Sequence, residues 1–247
     1  MNVQILENAQ AIGAAVGQLF VEQVKTQPDS VLGLATGSSP IPTYQYMAQE
    51  YAAGHVSFRN VTTFNLDEYC DLPQKDPNSY YSFMFDNLFR HTDIDSARVN
   101  FLDGNAADDK AECAQYEKRI KDAGGIDLQL LGIGNNGHIA FNEANEDHLV
   151  AVAHTEKLTQ STIDANARFF EKKEDVPTMA ITMGMGDIMA AKQVVLVATG
   201  LAKVPAIKGL VMDNNITTKN PSTMLKMHEN AVVVIDKELA DAVGYKA

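Results

Sequence analysis

Val31-Leu32-Gly33-Leu34-Ala35 runs directly into Thr36-Gly37-Ser38-Ser39-Pro40. The first half carries no polar side chain and is too short for a helix, which makes it a buried strand. The second half holds small hydroxyls, a glycine and a proline, the residues that turn a chain. A helical pattern follows, with Tyr44, Met47, Ala48 and Tyr51 on one face. The unit reads strand, tight turn, helix. Apolar runs of the same kind recur at Val61–Asn65, Leu128–Ile133, Val194–Thr199 and Ala231–Ile235. Between them lie stretches with helical spacing: Ile12, Val16, Leu19 and Phe20; then Ala111, Ala114 and Lys118; then Ala202, Ala206 and Leu210. Nearly unbroken apolar strands separated by helices predict an α/β fold, a doubly wound and mostly parallel sheet covered on both faces. No Pro/Gly/Ser-rich linker divides the chain and no fixed-period repeat appears, so residues 1–247 read as a single domain.

The chain has 247 residues, 45% of them hydrophobic, enough for a sizeable core. Lys plus Arg number 20 and Asp plus Glu 32, a formal charge of −12. So acidic a surface repels phosphodiester backbones, which argues against general nucleic-acid binding. An anionic ligand would have to meet a local positive pocket working against that field. Cys70 and Cys113 stand far apart in no metal-ligand spacing and read as free thiols of a reducing compartment. Residues Met1 to Glu7 carry neither a basic start nor a long apolar run, and no segment approaches the roughly 18 apolar residues of a membrane span. The expectation is a cytoplasmic chain with no signal peptide and no membrane partner.

In a doubly wound sheet, ligands sit beyond the carboxyl ends of the strands. After the first run, Thr36, Gly37, Ser38 and Ser39 lead into a helix, a pattern suited to an anion nest. It also fits a plain turn with Ser39 as N-cap and Pro40 at the first helical position. Neither GxxxxGK nor GxGxxG occurs here. After Val61–Asn65 come the neighbouring acids Asp67 and Glu68. Adjacent carboxylates on a strand point in different directions, so one can face a cleft as a base while the other caps a turn. After Leu128–Ile133 comes Gly134-Asn135-Asn136-Gly137-His138-Ile139-Ala140-Phe141-Asn142-Glu143. Its glycines bend the loop, and a glutamate five residues beyond His138 can orient that ring if the loop folds back. The ring's other nitrogen is then free for general acid/base work. Further on, Arg168 stands beside two aromatics and Lys203 lies one turn past a strand. A cation near a helix start is disfavoured without an anionic partner. Asn220-Pro221-Ser222-Thr223 reads as a capped helix start, while His55, His91, His148, His154 and the ten methionines form no motif.

Taken in order, these pieces resemble the glucosamine-6-phosphate deaminase (isomerase) family of hexosamine catabolism. The matching stretches are Leu32–Pro40, Phe64–Tyr69, Ser79–Met84, Leu131–Glu143, Asn166–Phe170 and the segment around Lys203. The run Gly137-His138-Ile139-Ala140-Phe141-Asn142-Glu143 is the most specific. The resemblance implies a modified Rossmann-like fold shared with 6-phosphogluconolactonases. It implies conversion of glucosamine 6-phosphate and water to fructose 6-phosphate and ammonia, without cofactor or metal. By the same resemblance Thr36, Gly37, Ser38, Ser39, Arg168 and Lys203 would hold the phosphate. His138 with Glu143 would open the sugar ring, and Asp67 would carry a proton from C2 to C1.

The chain departs from the family's pattern at two places. Many members have aspartate where Asn136 stands; an amide can orient but cannot relay a proton, so Asn136 is a candidate catalytic-site residue in a tuning role. Ala144 replaces the usual proline, and an acidic, irregular segment follows. Residues 143–154 are a candidate lid. Enterobacterial hexameric members carry basic effector-binding residues further on, and His154-Thr155-Glu156-Lys157 matches them poorly. The family includes monomers and hexamers, which leaves the choice between a monomer and a homo-oligomer open. Rival readings are a galactosamine-6-phosphate deaminase, a 6-phosphogluconolactonase and a non-catalytic sugar-phosphate sensor.

Overall fold

Each apolar run becomes a strand whose side chains are buried on both sides. The computed structural model describes residues 1–246. Its main sheet holds, in spatial order, β1 (Asn2–Leu6), β10 (Ala231–Asp236), β9 (Gln193–Ala198), β6 (Leu128–Leu131), β2 (Val31–Leu34), β3 (Thr62–Asn65) and β5 (Val99–Asn100). All neighbours in it are parallel. Every residue of β2 and β6 is buried, as expected of strands covered above and below. The covering helices are α1 (Ala9–Thr26), α2 (Ile41–Ala52), α3 (Tyr80–Asn87), α4 (Asp109–Asp122), α5 (Gln160–Asn166), α6 (Met185–Ala190), α7 (Val204–Val211) and α8 (Lys237–Val243). From β2 the chain moves outward through β3 to β5, then returns to β6 on the other side of β2 and continues through β9 to β10. The strand order therefore reverses between β2 and β6, which places a crevice beyond their carboxyl ends.

A second sheet was not legible in the sequence. β4 (Asp67–Tyr69), β8 (Met179–Thr182) and β7 (His154–Lys157) form an antiparallel triplet. Leu66 hands the chain from one sheet to the other. Its N–H donates to Leu34 O at 3.2 Å, while its carbonyl accepts Met183 N–H at 2.7 Å. Asp67, the next residue, is thereby fixed at the junction of the two sheets.

Three local expectations are corrected. Helix α2 starts at Ile41, with Pro40 as its uncapped N-terminal residue. The Pro40 carbonyl takes the first helical N–H bonds, from Thr43 and Tyr44, and Ser39 Oγ lies instead 3.4 Å from Thr199 Oγ1. Helix α4 buries Cys113, Tyr116 and Ile120, while Ala111, Ala114 and Lys118 are exposed. Tyrosine and isoleucine bury far more apolar area than alanine, so they set which face turns inward. Pro221–Met227 is a 3₁₀ turn, and the Asn220 side chain caps nothing because it is engaged with helix α7.

Candidate active site

The loops after β2 and β6 diverge at the switch point and wall a cavity of about 560 Å³. Thr36, Gly37, Ser38 and Ser39 line it, as do Asp67, Asn136, His138, Arg168 and Lys203. Glu143 stands behind His138, outside the lining. The structure thus brings together residues that the sequence spreads over more than half its length.

One end of the cavity is built for negative charge. Gly37 has φ of +100°, and among the described residues the backbone N–H groups of Gly37, Ser38 and Ser39 have no partner within the chain. Arg168 sits in the 3₁₀ turn that follows α5, its guanidinium 4.6 Å over the Phe169 ring. Lys203 immediately precedes α7, and burial, then the neighbouring Arg168, brings its ammonium down to about 8. A lysine held at a helix N-terminus beside a second cation is unfavourable by itself. An incoming phosphate would relieve both, the guanidinium as a fork and the ammonium as a point charge.

Asp67 stands apart in character. It is 6% exposed, and among the described residues its carboxyl takes no hydrogen bond. Burial first, and then the Glu68 charge, holds that carboxyl well above the usual carboxylate range. Glu68 turns the other way and settles the alternative the sequence left open. Its Oε1 accepts N–H bonds from Tyr69 at 2.8 Å and Tyr80 at 2.9 Å, and its Oε2 accepts one from Tyr81 at 2.9 Å. Glu68 therefore closes the start of α3, alongside the N-cap Ser79. Beside Asp67, the cavity wall is aromatic. Tyr69 and Tyr80 lie 4.8 Å apart between ring centroids, Tyr80 stacks on Phe141 at 5.7 Å, and Phe170 meets Tyr69 edge-on at 5.8 Å. Asn166 Nδ2 donates to the Tyr69 hydroxyl at 2.9 Å, which ties the turn carrying Arg168 to the strand carrying Asp67.

The His138 ring packs where no side chain could stand at Gly134. A Cβ there would come within 2.3 Å of the ring. His138 Nδ1 lies 3.3 Å from Glu143 Oε2 and 3.4 Å from Thr162 Oγ1, so the loop does fold back. No bond engages Nε2 among the described residues. Asn136 spans the same loop: its Nδ2 donates to Glu143 Oε2 at 2.8 Å and its Oδ1 accepts His138 N–H at 3.2 Å. Thr159 adds an N–H to Glu143 Oε1 and a hydroxyl to Oε2, both at 3.2 Å. Burial pushes the Glu143 carboxyl up, but His138, Thr162 and Asn136 outweigh it and hold the group at about 2. Ala140, on the same loop, lines the cavity with φ of 50°, a backbone strain typical of functional sites.

Sequence reasoning missed the threonines and the aromatic wall. Thr159 carried a local signal, as the N-cap of α5, but nothing in it pointed to Glu143. In this structure the candidate lid, residues 143–154, does not line the cavity. Met185 N–H donates to Val150 O at 2.9 Å, Gly186 N–H to Ala151 O at 2.8 Å, and Ala153 N–H to Glu117 Oε1 at 2.8 Å. These bonds tie the segment to α6 and α4. Among the described residues no cluster of three or more His, Cys, Asp or Glu could hold a metal ion.

A family model described as glucosamine-6-phosphate isomerases/6-phosphogluconolactonase matches residues 6–234. The chain belongs to this family. Within the isomerase/lactonase family, it is 48% identical over 240 residues to a glucosamine-6-phosphate deaminase of Halothermothrix orenii, covering 97% of this chain and 99% of that one. A solved structure of a monomeric glucosamine-6-phosphate deaminase superposes with a TM-score of 0.93 at 38% identity, over 98% of this chain and all of the other. A 6-phosphogluconolactonase from Thermotoga maritima shares the family fold, with a TM-score of 0.73 at 20% identity, over 96% of this chain and 99% of that one.

Proposed function

We propose that this chain deaminates glucosamine 6-phosphate to fructose 6-phosphate and ammonia, with the whole chain acting as one catalytic domain. The observation that carries the reading is one cavity that holds two cations without an ion-pair partner among the described residues and, apart from them, a buried carboxyl of raised pKa that takes no hydrogen bond from those residues. The named relatives supply the substrate. The phosphate is held by the N–H groups of Gly37, Ser38 and Ser39, the hydroxyls of Thr36, Ser38 and Ser39, and by Arg168 and Lys203. With Glu143 ionised, His138 carries its proton on Nδ1 and turns the Nε2 lone pair to the cavity. His138 then takes the proton of the anomeric hydroxyl and delivers one to the ring oxygen, freeing the aldehyde.

Asp67 removes the proton from C2 of the open chain. Its high pKa makes it a strong base once ionised, and the substrate's own ammonium at C2 favours the ionised form. The electrons left on C2 flow into the C1 carbonyl, whose oxygen takes a proton from the C2 ammonium, and an enolamine results. Asp67 returns the proton to C1 on the same face, which leaves an imine at C2. Water adds to that imine and ammonia departs, giving the ketose. Asn136 takes no proton in this sequence; it anchors Glu143. Free cysteines at 70 and 113 fit the cytoplasm as the place of work. The test supplies purified protein with glucosamine 6-phosphate and, in parallel, galactosamine 6-phosphate. Ammonia and fructose 6-phosphate are expected from the first; no turnover of either, with both bound, overturns the reading.

A further inference from the structure

We propose that the knuckle Thr217–Thr223, which lies outside the cavity, is the positioning element of the ring-opening loop, with Asn220 and Thr218 as its working side chains. It rests on the deaminase reading only for its kinetic consequence. The knuckle grips that loop on both sides. Before His138, Ser222 N–H donates to the Gly137 carbonyl at 2.9 Å. After Glu143, Asn145 N–H donates to Thr218 O at 3.1 Å, and Thr218 Oγ1 donates to Asn145 O at 2.7 Å. The residues that face the substrate and its proton partner, His138 and Glu143, therefore hang between two clamped points.

Asn220 extends the grip to the phosphate end. Its Nδ2 donates to Ala206 O at 2.8 Å, within the helix that Lys203 introduces, and its Oδ1 accepts Ser222 Oγ–H at 2.6 Å. Two glycines make room for this amide. A Cβ at Gly137 would lie 2.0 Å from Asn220 Oδ1, and one at Gly209 would lie 2.7 Å from its Nδ2. Gly209 sits inside α7, where glycine is disfavoured relative to alanine. The missing side chain is what admits the Asn220 amide to the helix. The knuckle is itself stiff: Thr217 N–H donates to Thr223 Oγ1 at 2.9 Å and Asn220 N–H to Thr217 O at 3.2 Å. Residues 217–223 do not line the cavity, so their effect on a substrate is indirect. By fixing the His138 loop to the Lys203 helix, the knuckle sets the distance between the phosphate anchor and the ring-opening imidazole.

The test compares Thr218→Val, Thr218→Ser and Asn220→Ala in the full chain. Misplacement of a catalytic group by about 1 Å costs on the order of a hundredfold, so kcat should fall about tenfold in Thr218→Val and about a hundredfold in Asn220→Ala. Thr218→Ser keeps the hydroxyl donor and should retain the parent rate. Binding of 2-amino-2-deoxyglucitol 6-phosphate, an analogue that needs no ring opening, should stay within about twofold. Amide exchange at Gly134, His138 and Asn145 should speed up about tenfold while Leu130 stays protected. Parent-like kcat and exchange in folded Thr218→Val and Asn220→Ala overturn the proposal. So does a loss of kcat matched by equal losses of analogue binding and of folded fraction. If the parent protein itself shows no deaminase turnover, the functional reading fails and local exchange alone decides the clamp.

Discussion

Replacing Glu143 by glutamine removes the charge that the His138 loop is built around, and the structure sets the size of the effect. The carboxyl is 3% exposed and held at about 2 against an ordinary 4.5. At about 1.36 kcal/mol for each tenfold change in proton affinity, that difference corresponds to about 3 kcal/mol of stabilisation. A folded-state value below the unfolded one gives stability that is complete above about pH 5 and lost as pH falls through about 2. Glu143→Gln should therefore lower the urea-unfolding free energy by up to about 3 kcal/mol at pH 7, the upper limit because glutamine keeps one acceptor. Near pH 3 the gap between the two proteins should shrink to about half. The same variant should lose kcat about a hundredfold, since His138 no longer has an anion to fix its tautomer. Equal unfolding free energies at pH 7, or a gap that does not narrow in acid, would mean that His138, Thr162 and Asn136 do not hold Glu143 ionised.

Three further outcomes follow from the same geometry. Asp67→Asn should lower kcat by about 10² to 10⁴ with KM little changed. Because burial raises the Asp67 carboxyl, ionisation destabilises the fold above the unfolded carboxylate value, so this variant should melt higher than the parent at pH 7 and lose that advantage below about pH 4. Asn136→Asp puts a second carboxylate where an amide now donates to Glu143 at 2.8 Å. The carbon-13 titration of Glu143 should then move upward and kcat should fall at least about tenfold, through like-charge repulsion. Lys203, at about 8, should lose its proton within the assay range. KM should rise as pH passes about 8, and Lys203→Arg should move that rise to higher pH.

What the sequence disclosed was what lies close together along the chain. The parallel sheet follows from Val31–Ala35 and its repeats, and the strand-end rule led directly to Thr36–Ser39, Asp67 and His138. Glu143 was within reach because five residues of a glycine-bent loop suffice to bring it back to His138. The second sheet was hidden because β4 is three residues long and two of them are acids, which gives no readable period. Thr159 and Thr162 reach Glu143 only through the antiparallel strands that fold β7 and α5 over the loop. The wall around Asp67 draws Tyr69, Tyr80, Phe141 and Phe170 from distant positions, and no local pattern pairs them. The exposed face of α4 shows the limit from the other side. The spacing of Ala111, Ala114 and Lys118 marks a helix, but bulk at Tyr116 and Ile120 decides which face is buried.

Turnover rests on the buried Asp67 carboxyl taking the C2 proton. Glucosamine 6-phosphate deuterated at C2, given to the parent protein and to Asp67→Asn and followed by NMR, tests it most directly. The parent should break the C2–deuterium bond while releasing ammonia and fructose 6-phosphate, and the variant should bind the sugar and leave the deuterium in place. Loss of deuterium from the variant at the parent's rate would contradict it.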